Sequence, residues 1–156
     1  MKKIIAIPII AIIGIIGWYL GSPLFVNATV DEELPVIMQT SEIKTLYAGN
    51  FMGVGDGVHD AKGDAKVLTQ SDGQLNQRIL RLENFQASNG PDLHVFLSKD
   101  PNGIDGGYIN LGRLKGNIGN QNYEIPADVY LSEYDNVLIW CKMFSVLFGH
   151  AELTSA

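Results

Sequence analysis

Along most of the chain, short runs of hydrophobic and β-branched residues alternate with turns that are rich in glycine. Glycine occurs 17 times, often in turn-like pairs such as Asp56-Gly57 and Asn89-Gly90. Runs of this length at near-regular spacing predict an all-β fold, an antiparallel β-sandwich or barrel-like domain of about eight short strands. A helical turn is predicted only at Ala127–Tyr134. The predicted strands are Ile43–Phe51, Ala65–Gln70, Leu75–Phe85, Leu93–Ser98, Tyr108–Leu111, Asn122–Ile125, Val137–Phe144 and Leu147–Leu153.

Alternation within two of these runs assigns side chains to faces of the predicted sheets. The odd positions of Leu93–Leu97 are all aliphatic, so they are predicted to face the core. In Val137–Phe144 the even face carries Lys142, which marks it as the wetter face. The odd face is therefore predicted to point inward, and it places Cys141 in the core on the same face as Met143.

The N-terminal segment has the pattern of a membrane anchor. Lys2 and Lys3 precede 17 apolar residues that run from Ile4 to Leu20. A helix extended to Val26 is long enough to cross a bilayer, and the positive-inside tendency keeps the two lysines in the cytoplasm. We therefore predict a transmembrane anchor or signal peptide at residues 1–26, a linker at 27–42 and a β domain at 43–156. The alternative is secretion after cleavage near Ala28, and both readings place the domain outside the cytoplasm.

The charge of the chain argues against nucleic acid as a partner. The sequence has 11 Lys and Arg against 17 Asp and Glu. Two of the cations precede the apolar segment, so from Asp31 onward the net charge is −8. An acidic domain repels phosphate backbones. The predicted contact with the membrane is therefore the apolar segment at residues 4–26, and we expect no nucleic-acid binding.

Cys141 is the only cysteine of the chain, and an intramolecular disulfide is therefore impossible. Three readings follow from the residue itself: a small buried hydrophobic side chain, a redox thiol, or a thiolate ligand to haem or a metal. His59, His94, His150 and Met143 add residue types that a blue-copper site uses. The compact spacing of such sites is absent because no methionine follows His150, so copper is the less favoured cofactor.

Two polar loops offer other chemistry. Asp100–Gly107 contains carboxylates and an asparagine, but it lacks the ligand order and closing glutamate of a calcium loop. Lys115–Tyr123 is rich in glycine and asparagine without a phosphate-binding pattern. Tight turns explain both segments. The sequence shows no Ser-His-Asp, CxxC or HExxH motif, and we expect no stand-alone enzyme.

Several stretches together resemble the DM13 (DM-thirteen) domain, a small extracellular β domain often found beside DOMON domains. The resemblance covers about Ile43 to Leu153, and no DOMON or cytochrome domain accompanies it in this chain. The matching stretches are Phe51 to Gly63, LRLENF (Leu80–Phe85), GPDLHVFLS (Gly90–Ser98), YINLGRLKGNIGNQNYEIP (Tyr108–Pro126) and VLIWCKMFSVLFGHAEL (Val137–Leu153).

The resemblance implies a β-sandwich-like domain with a hallmark cysteine, which matches Cys141. For the family, that cysteine implies electron transfer, either as a bare thiol or as the holder of a prosthetic group such as haem. His59 falls on a motif position and is the second candidate, whereas His94 and His150 depart from the pattern. The leading hypothesis is therefore a membrane-anchored electron-transfer domain with a redox partner protein. The alternative is a binding or adhesion module in which the polar loops contact a partner and Cys141 only packs.

Overall fold

A computed structural model describes residues 26–39, 42–70 and 77–156, together with residues 12, 14, 15, 17 and 18. The predicted membrane helix at residues 4–26 lies almost entirely outside these described residues. Across the part of the chain that is described, no helix is long and apolar enough to cross a membrane. The anchor therefore stays a prediction, and the fold concerns the segment from residue 26 onward.

The described chain is built almost wholly from β-strands, which confirms the all-β prediction. A short helix, α1 (Val36–Gln39), precedes them. Ala127–Tyr134 forms hydrogen-bonded turns, in which the Tyr134 amide donates to the Tyr130 carbonyl at 3.2 Å. The strands are β1 (Ile43–Asn50), β2 (Met52–Gly53), β3 (Ala61–Gln70), β4 (Arg78–Ala87), β5 (Leu93–Asp100), β6 (Gly103–Arg113), β7 (Ile118–Ile125), β8 (Asn136–Cys141), β9 (Val146–Glu152) and β10 (Thr154–Ser155).

Two five-stranded antiparallel sheets form a sandwich. One sheet has the order β10-β1-β3-β4-β7, and the other has the order β2-β9-β8-β5-β6. All eight predicted runs overlap a strand, and only the two-residue strands β2 and β10 were missed. Alternate side chains of β3, β4, β5 and β8 fill the space between the sheets, because burying apolar surface is the main favourable term in folding.

The middle of the second sheet, at β8 and β5, is buried on both of its faces. Every residue of β8 is buried, since its inner face joins the main core while its outer face joins a second cluster. That outer cluster consists of Phe96, Leu138 and Trp140, with Ile104 and Leu147 packed against it. Continuous apolar sequence in β8 is the pattern of a strand that is covered on both sides.

The inward-facing predictions hold up to the end of β8, but the prediction of a wetter even face is wrong, because Leu138 and Trp140 are buried in the outer cluster. Leu93, Val95 and Leu97 lie in the main core, and Cys141 lies in the same core. The prediction for Met143 is wrong, because β8 ends at Cys141 and residues 142–145 form the turn to β9. Met143 is 62% exposed in that turn, and Ser145 closes the turn with a φ of 53°. Alternation stops where the strand stops.

The segment between residue 27 and α1 lies along the edge of β7. Thr29 pairs with Ile118 in parallel, and the Val30 amide donates to the Ile118 carbonyl at 2.9 Å. Farther along, the Glu32 amide donates to the Asn120 carbonyl at 2.9 Å. Gly119 makes this close approach possible, since a Cβ there would collide with the carbonyl oxygen of Val30. The segment acts as an additional edge strand, which covers backbone groups that would otherwise be unpaired.

We expect Gly119→Ala to destabilise the protein more than Gly112→Ala. Both glycines have a positive φ, 108° and 126°, so both substitutions strain the backbone. Only at Gly119 would the added Cβ also meet Val30, whereas at Gly112 it meets open space. Strain alone costs about 1–3 kcal/mol of unfolding free energy. The additional loss at Gly119 therefore measures how much the segment between residue 27 and α1, the edge segment, contributes by packing on β7. Denaturant unfolding of the two full-length variants checks this, and equal losses would show that the segment adds no stability.

Candidate functional site

One end of the sandwich contains a cavity that brings the two leading candidates together. We call it the cysteine end, because β8 ends there at Cys141, beside the start of β5 and β9. The cavity has a volume of about 300 Å³, at the small end of the range for small-molecule sites. It is lined by Val58, His59, Asn89, Gly90, Pro91, Cys141, Phe144, Val146 and Phe148.

Cys141 supplies the thiol of this cavity. It pairs with Leu93 on one side and with Val146 on the other, so neighbouring strands hold its backbone on both sides. Only 1% of its surface is exposed, and the thiol is free. A free cysteine at this degree of burial is a common packing residue. The cavity adds what packing alone does not require, a space next to this residue.

His59 supplies the imidazole, and Asp56 holds it in place. The two residues lie in the loop between β2 and β3. The Asp56 carboxylate accepts hydrogen bonds from the backbone amides of Val58, at 2.9 Å, and His59, at 2.7 Å. It also lies 2.6 Å from His59 Nδ1. The ring of Phe148 meets the imidazole edge-on, with centroids 4.5 Å apart.

The contact with Asp56 fixes the chemistry of the imidazole. The hydrogen bond from the His59 backbone amide, followed by the one from its ring, lowers the pKa of Asp56 from 3.8 to about 2. Asp56 is therefore a carboxylate near neutral pH and can only accept, so His59 Nδ1 carries the proton. In the neutral ring Nε2 then keeps its lone pair, and it is the nitrogen that can act as a ligand or take up a proton.

The other sequence candidates lie elsewhere. His94 is on the outer face of the second sheet, where its Nε2 lies 3.1 Å from Asp92 and its ring tilts against Phe96. His150 pairs with Leu138, a member of the outer cluster. The structure therefore does not gather the histidines that a blue-copper site needs. Within the described ranges, no group of three or more His, Cys, Asp or Glu side chains could hold a metal ion.

Sequence reasoning missed several residues that shape the cavity. Gly90 forms a wall, and a Cβ there would lie 2.8 Å from Leu93 Cδ2 and 2.9 Å from Phe148 Cζ. Phe148 comes from β9, 58 positions later, and no local pattern connects it to Gly90. The role of Asp56 could have been predicted from the sequence. An aspartate three residues before a histidine in a glycine-rich loop commonly accepts hydrogen bonds within a turn.

These features define a β-sandwich domain with a buried thiol and an oriented imidazole around one apolar cavity. The family described as "Electron transfer DM13" matches residues 53–153, so the chain belongs to the DM13 family. The description gives the domain a redox-related role. Neither the search of curated proteins nor the search of solved structures found a match.

The residues of the cavity suit a prosthetic group better than a bare metal ion. A bare ion needs three or four protein ligands, and the cavity offers two. Haem needs only one or two because its macrocycle supplies the remaining ligands, and both Cys and His are known axial ligands. The walls of Val58, Phe144 and Phe148 match an apolar ring system. At about 300 Å³ the cavity would enclose only part of such a group.

We expect Cys141 to react faster with a small neutral thiol reagent than with a bulky anionic one. Cys141 is buried, but it lines a cavity that reagents can enter. Phe144 also lines this cavity and is 65% exposed, so its ring narrows the opening. Methyl methanethiosulfonate fits this opening better than Ellman's reagent, and Phe144→Ala widens it. Tyr130→Ala is the matched control, since Tyr130 is 71% exposed near the opposite end of the sandwich. Equal rates for the two reagents, or no effect of Phe144→Ala, would contradict access through the cavity.

We expect Asp56→Asn to remove part of the acid sensitivity of the fold. The pKa of Asp56 is lower in the folded state, about 2, than its ordinary value of 3.8. Its stabilising contribution is therefore present above pH 3.8 and is lost as the pH falls toward 2. Unfolding curves of wild type and Asp56→Asn between these pH values check the difference. Asp128→Asn, at an exposed position near the opposite end, controls for loss of a charge.

Proposed function

We propose that this protein is a membrane-anchored, extracytoplasmic electron-transfer domain in which Cys141 is the group that takes part in electron transfer. Cys141 acts either as a thiolate ligand to a prosthetic group or as a bare redox thiol. The observation that carries the proposal is that Cys141 and His59 line the same apolar cavity. The redox role of the DM13 family supplies the class of reaction.

The ligand form of the proposal uses both side chains. When bound, a haem group would supply an iron that changes its charge by one electron. Cys141 Sγ and His59 Nε2 are the atoms that would hold it, and the Asp56 carboxylate orients the imidazole. Phe144 and Phe148 would give the site apolar walls, and an apolar shell is one of the factors that set a reduction potential.

The bare-thiol form requires a partner molecule whose own thiol can reach Cys141. The chain has one cysteine, so oxidation of Cys141 to a disulfide requires a thiol from another molecule. Since 1% of Cys141 is exposed, that thiol would have to enter the cavity. In the ligand form a prosthetic group would enter the cavity once and stay bound, whereas a partner thiol would have to enter at every turnover, and we therefore favour the ligand form.

Contacts of Asn27 favour an anchor that stays attached over cleavage near Ala28. Asn27 Oδ1 accepts hydrogen bonds from Asn89 Nδ2 and Asn117 Nδ2, each at 2.9 Å. The Ala28 amide donates to Asn117 Oδ1 at 2.7 Å. Cleavage after Ala28 would remove Asn27 and so leave these amide groups without their partner. Lys2 and Lys3 ahead of the apolar run orient the domain to the outside.

The binding-module alternative finds less support. Its main loop, Lys115–Asn122, uses its polar groups within the protein. Lys115 Nζ contacts both carboxylate oxygens of Glu32 at 2.8 Å, and Asn120 Nδ2 donates to Asp31 at 2.7 Å. The second loop is a hairpin closed by Ser98 Oγ, which donates to the Gly103 carbonyl at 2.7 Å. These groups support the fold and the edge segment.

We expect the full-length protein, purified from its native membranes, to carry a prosthetic group with visible absorbance. Cys141→Ala should abolish the absorbance, and His59→Ala should shift or weaken it, because each removes one ligand. His94→Ala is the matched control, since this histidine lies on the outer face and its loss should leave the spectrum unchanged.

The same variants must be shown to fold. Cys141→Ala removes one small buried group and should cost about 1–2 kcal/mol of stability, which thermal unfolding measures. Protein from the native host that is colourless and free of iron would contradict the ligand form of the proposal. A spectrum that survives Cys141→Ala would place the group elsewhere.

A further inference from the structure

We propose that the cysteine end of the sandwich rests on a lipid bilayer, with the apolar rim of the cavity inserted among the lipids. The occupant of this surface is the membrane in which the chain is anchored. The inference therefore rests on the proposed anchor, and it adds which end of the domain faces the membrane. Two independent observations support the proposal. The first is the course of the chain from Val26 into the domain, and the second is the exposure of the apolar side chains around the opening of the cavity.

The described chain begins at the cysteine end. Val26, its first continuous residue, lines a second cavity of about 330 Å³, and this cavity shares Asn89 and Gly90 with the Cys141 cavity. From there the chain runs away from that end, since Thr29 pairs with Ile118, the first residue of β7. Glu32 already lies beside the middle of the strand.

In the proposed arrangement, very few residues separate the anchor from the domain. The proposed anchor extends to Val26, and Asn27 and Ala28 are already hydrogen-bonded to Asn117 of the domain. Because one residue spans at most about 3.5 Å, the domain cannot move far from the point where the chain leaves the bilayer. The opposite end lies one strand length away, and the eight residues of β7 span about 26 Å. The cysteine end is therefore the one that meets the membrane surface.

The rim of the cavity has the composition of an interfacial surface. Val58 is 69% exposed in the loop before β3, and Phe144 is 65% exposed in the turn before β9. Met143 is exposed beside Phe144, and Lys142 in the same turn can reach the headgroup level. Apolar side chains next to a lysine are typical of segments that insert at the boundary between headgroups and acyl chains. Neighbouring apolar exposure of this kind marks a contact surface.

In the proposed contact with the bilayer, insertion of apolar side chains contributes more than electrostatic attraction to anionic lipids. The loop that carries Val58 also carries Asp56 and Asp60, both exposed, so an anionic surface would repel it. We therefore expect the contact to form on vesicles of neutral phosphatidylcholine. In this arrangement the mouth of the Cys141 cavity faces lipid, and a partner that exchanges electrons with Cys141 would approach from the membrane side.

Site-directed photocrosslinking of the full-length chain in phosphatidylcholine vesicles tests this arrangement. Phe144 is replaced by the photoreactive aromatic benzoylphenylalanine, a substitution of an exposed turn residue that lines the Cys141 cavity but lies outside the core between the sheets. Tyr130 receives the same replacement as the matched control, because it is an equally exposed aromatic residue near the opposite end. We expect several-fold more covalent lipid adduct from position 144 than from position 130.

Other outcomes would overturn the proposal. Equal lipid adduct at the two positions would mean that the cysteine end does not face the bilayer. Adducts from position 144 to residues 1–25 of the same chain, or to a second copy, would assign the rim to those occupants. Flotation of the protein with the vesicles and its resistance to alkaline extraction are measured in the same samples. Protein that fails to float disproves the anchor, whereas protein that floats without lipid adducts disproves the orientation alone.

Discussion

The burial of β8 on both faces is the constraint on which the candidate site depends. Its inner side chains fill the space between the sheets, and its outer side chains Leu138 and Trp140 pack with Phe96 in a second apolar cluster. A strand held in this way has no freedom to shift its register, because a slip of one residue would exchange its two faces. The last residue of that fixed strand is Cys141. Its sulfur therefore has a defined position at one end of the core, where the loops before β3 and after β4 close around it.

Placing a thiol at the end of a core strand has a chemical consequence. Within the middle of β8 the sulfur would be surrounded by packed side chains, whereas at the end it borders space that loops enclose. Those loops contribute His59, whose ring is held by the carboxylate of Asp56. The site thus combines a thiol on a fixed strand with an imidazole of fixed tautomer beside apolar walls, which is the preorganisation that electron transfer favours because little has to move when the charge changes.

Local pattern in the sequence predicted the strands and the facing of Cys141, because alternation is a property of the strand itself. It failed at Met143, since the end of β8 depends on the turn at residues 142–145 and not on hydrophobicity. The resemblance to the DM13 family drew attention to His59, and in the structure His59 lines the same cavity as Cys141. The contribution of Phe148 could not be predicted, because the contact joins residues distant in sequence through the packing of the two sheets.

The central claim is that Cys141 takes part in electron transfer, and a redox titration tests it most directly. Spectroelectrochemistry of the full-length protein in native membranes compares the wild type with Cys141→Ser, which keeps the size of the side chain but removes the sulfur ligand. The account predicts a reversible redox transition in the wild type that is lost in Cys141→Ser and shifted in potential in His59→Ala. The same transition at the same potential in all three proteins would contradict it.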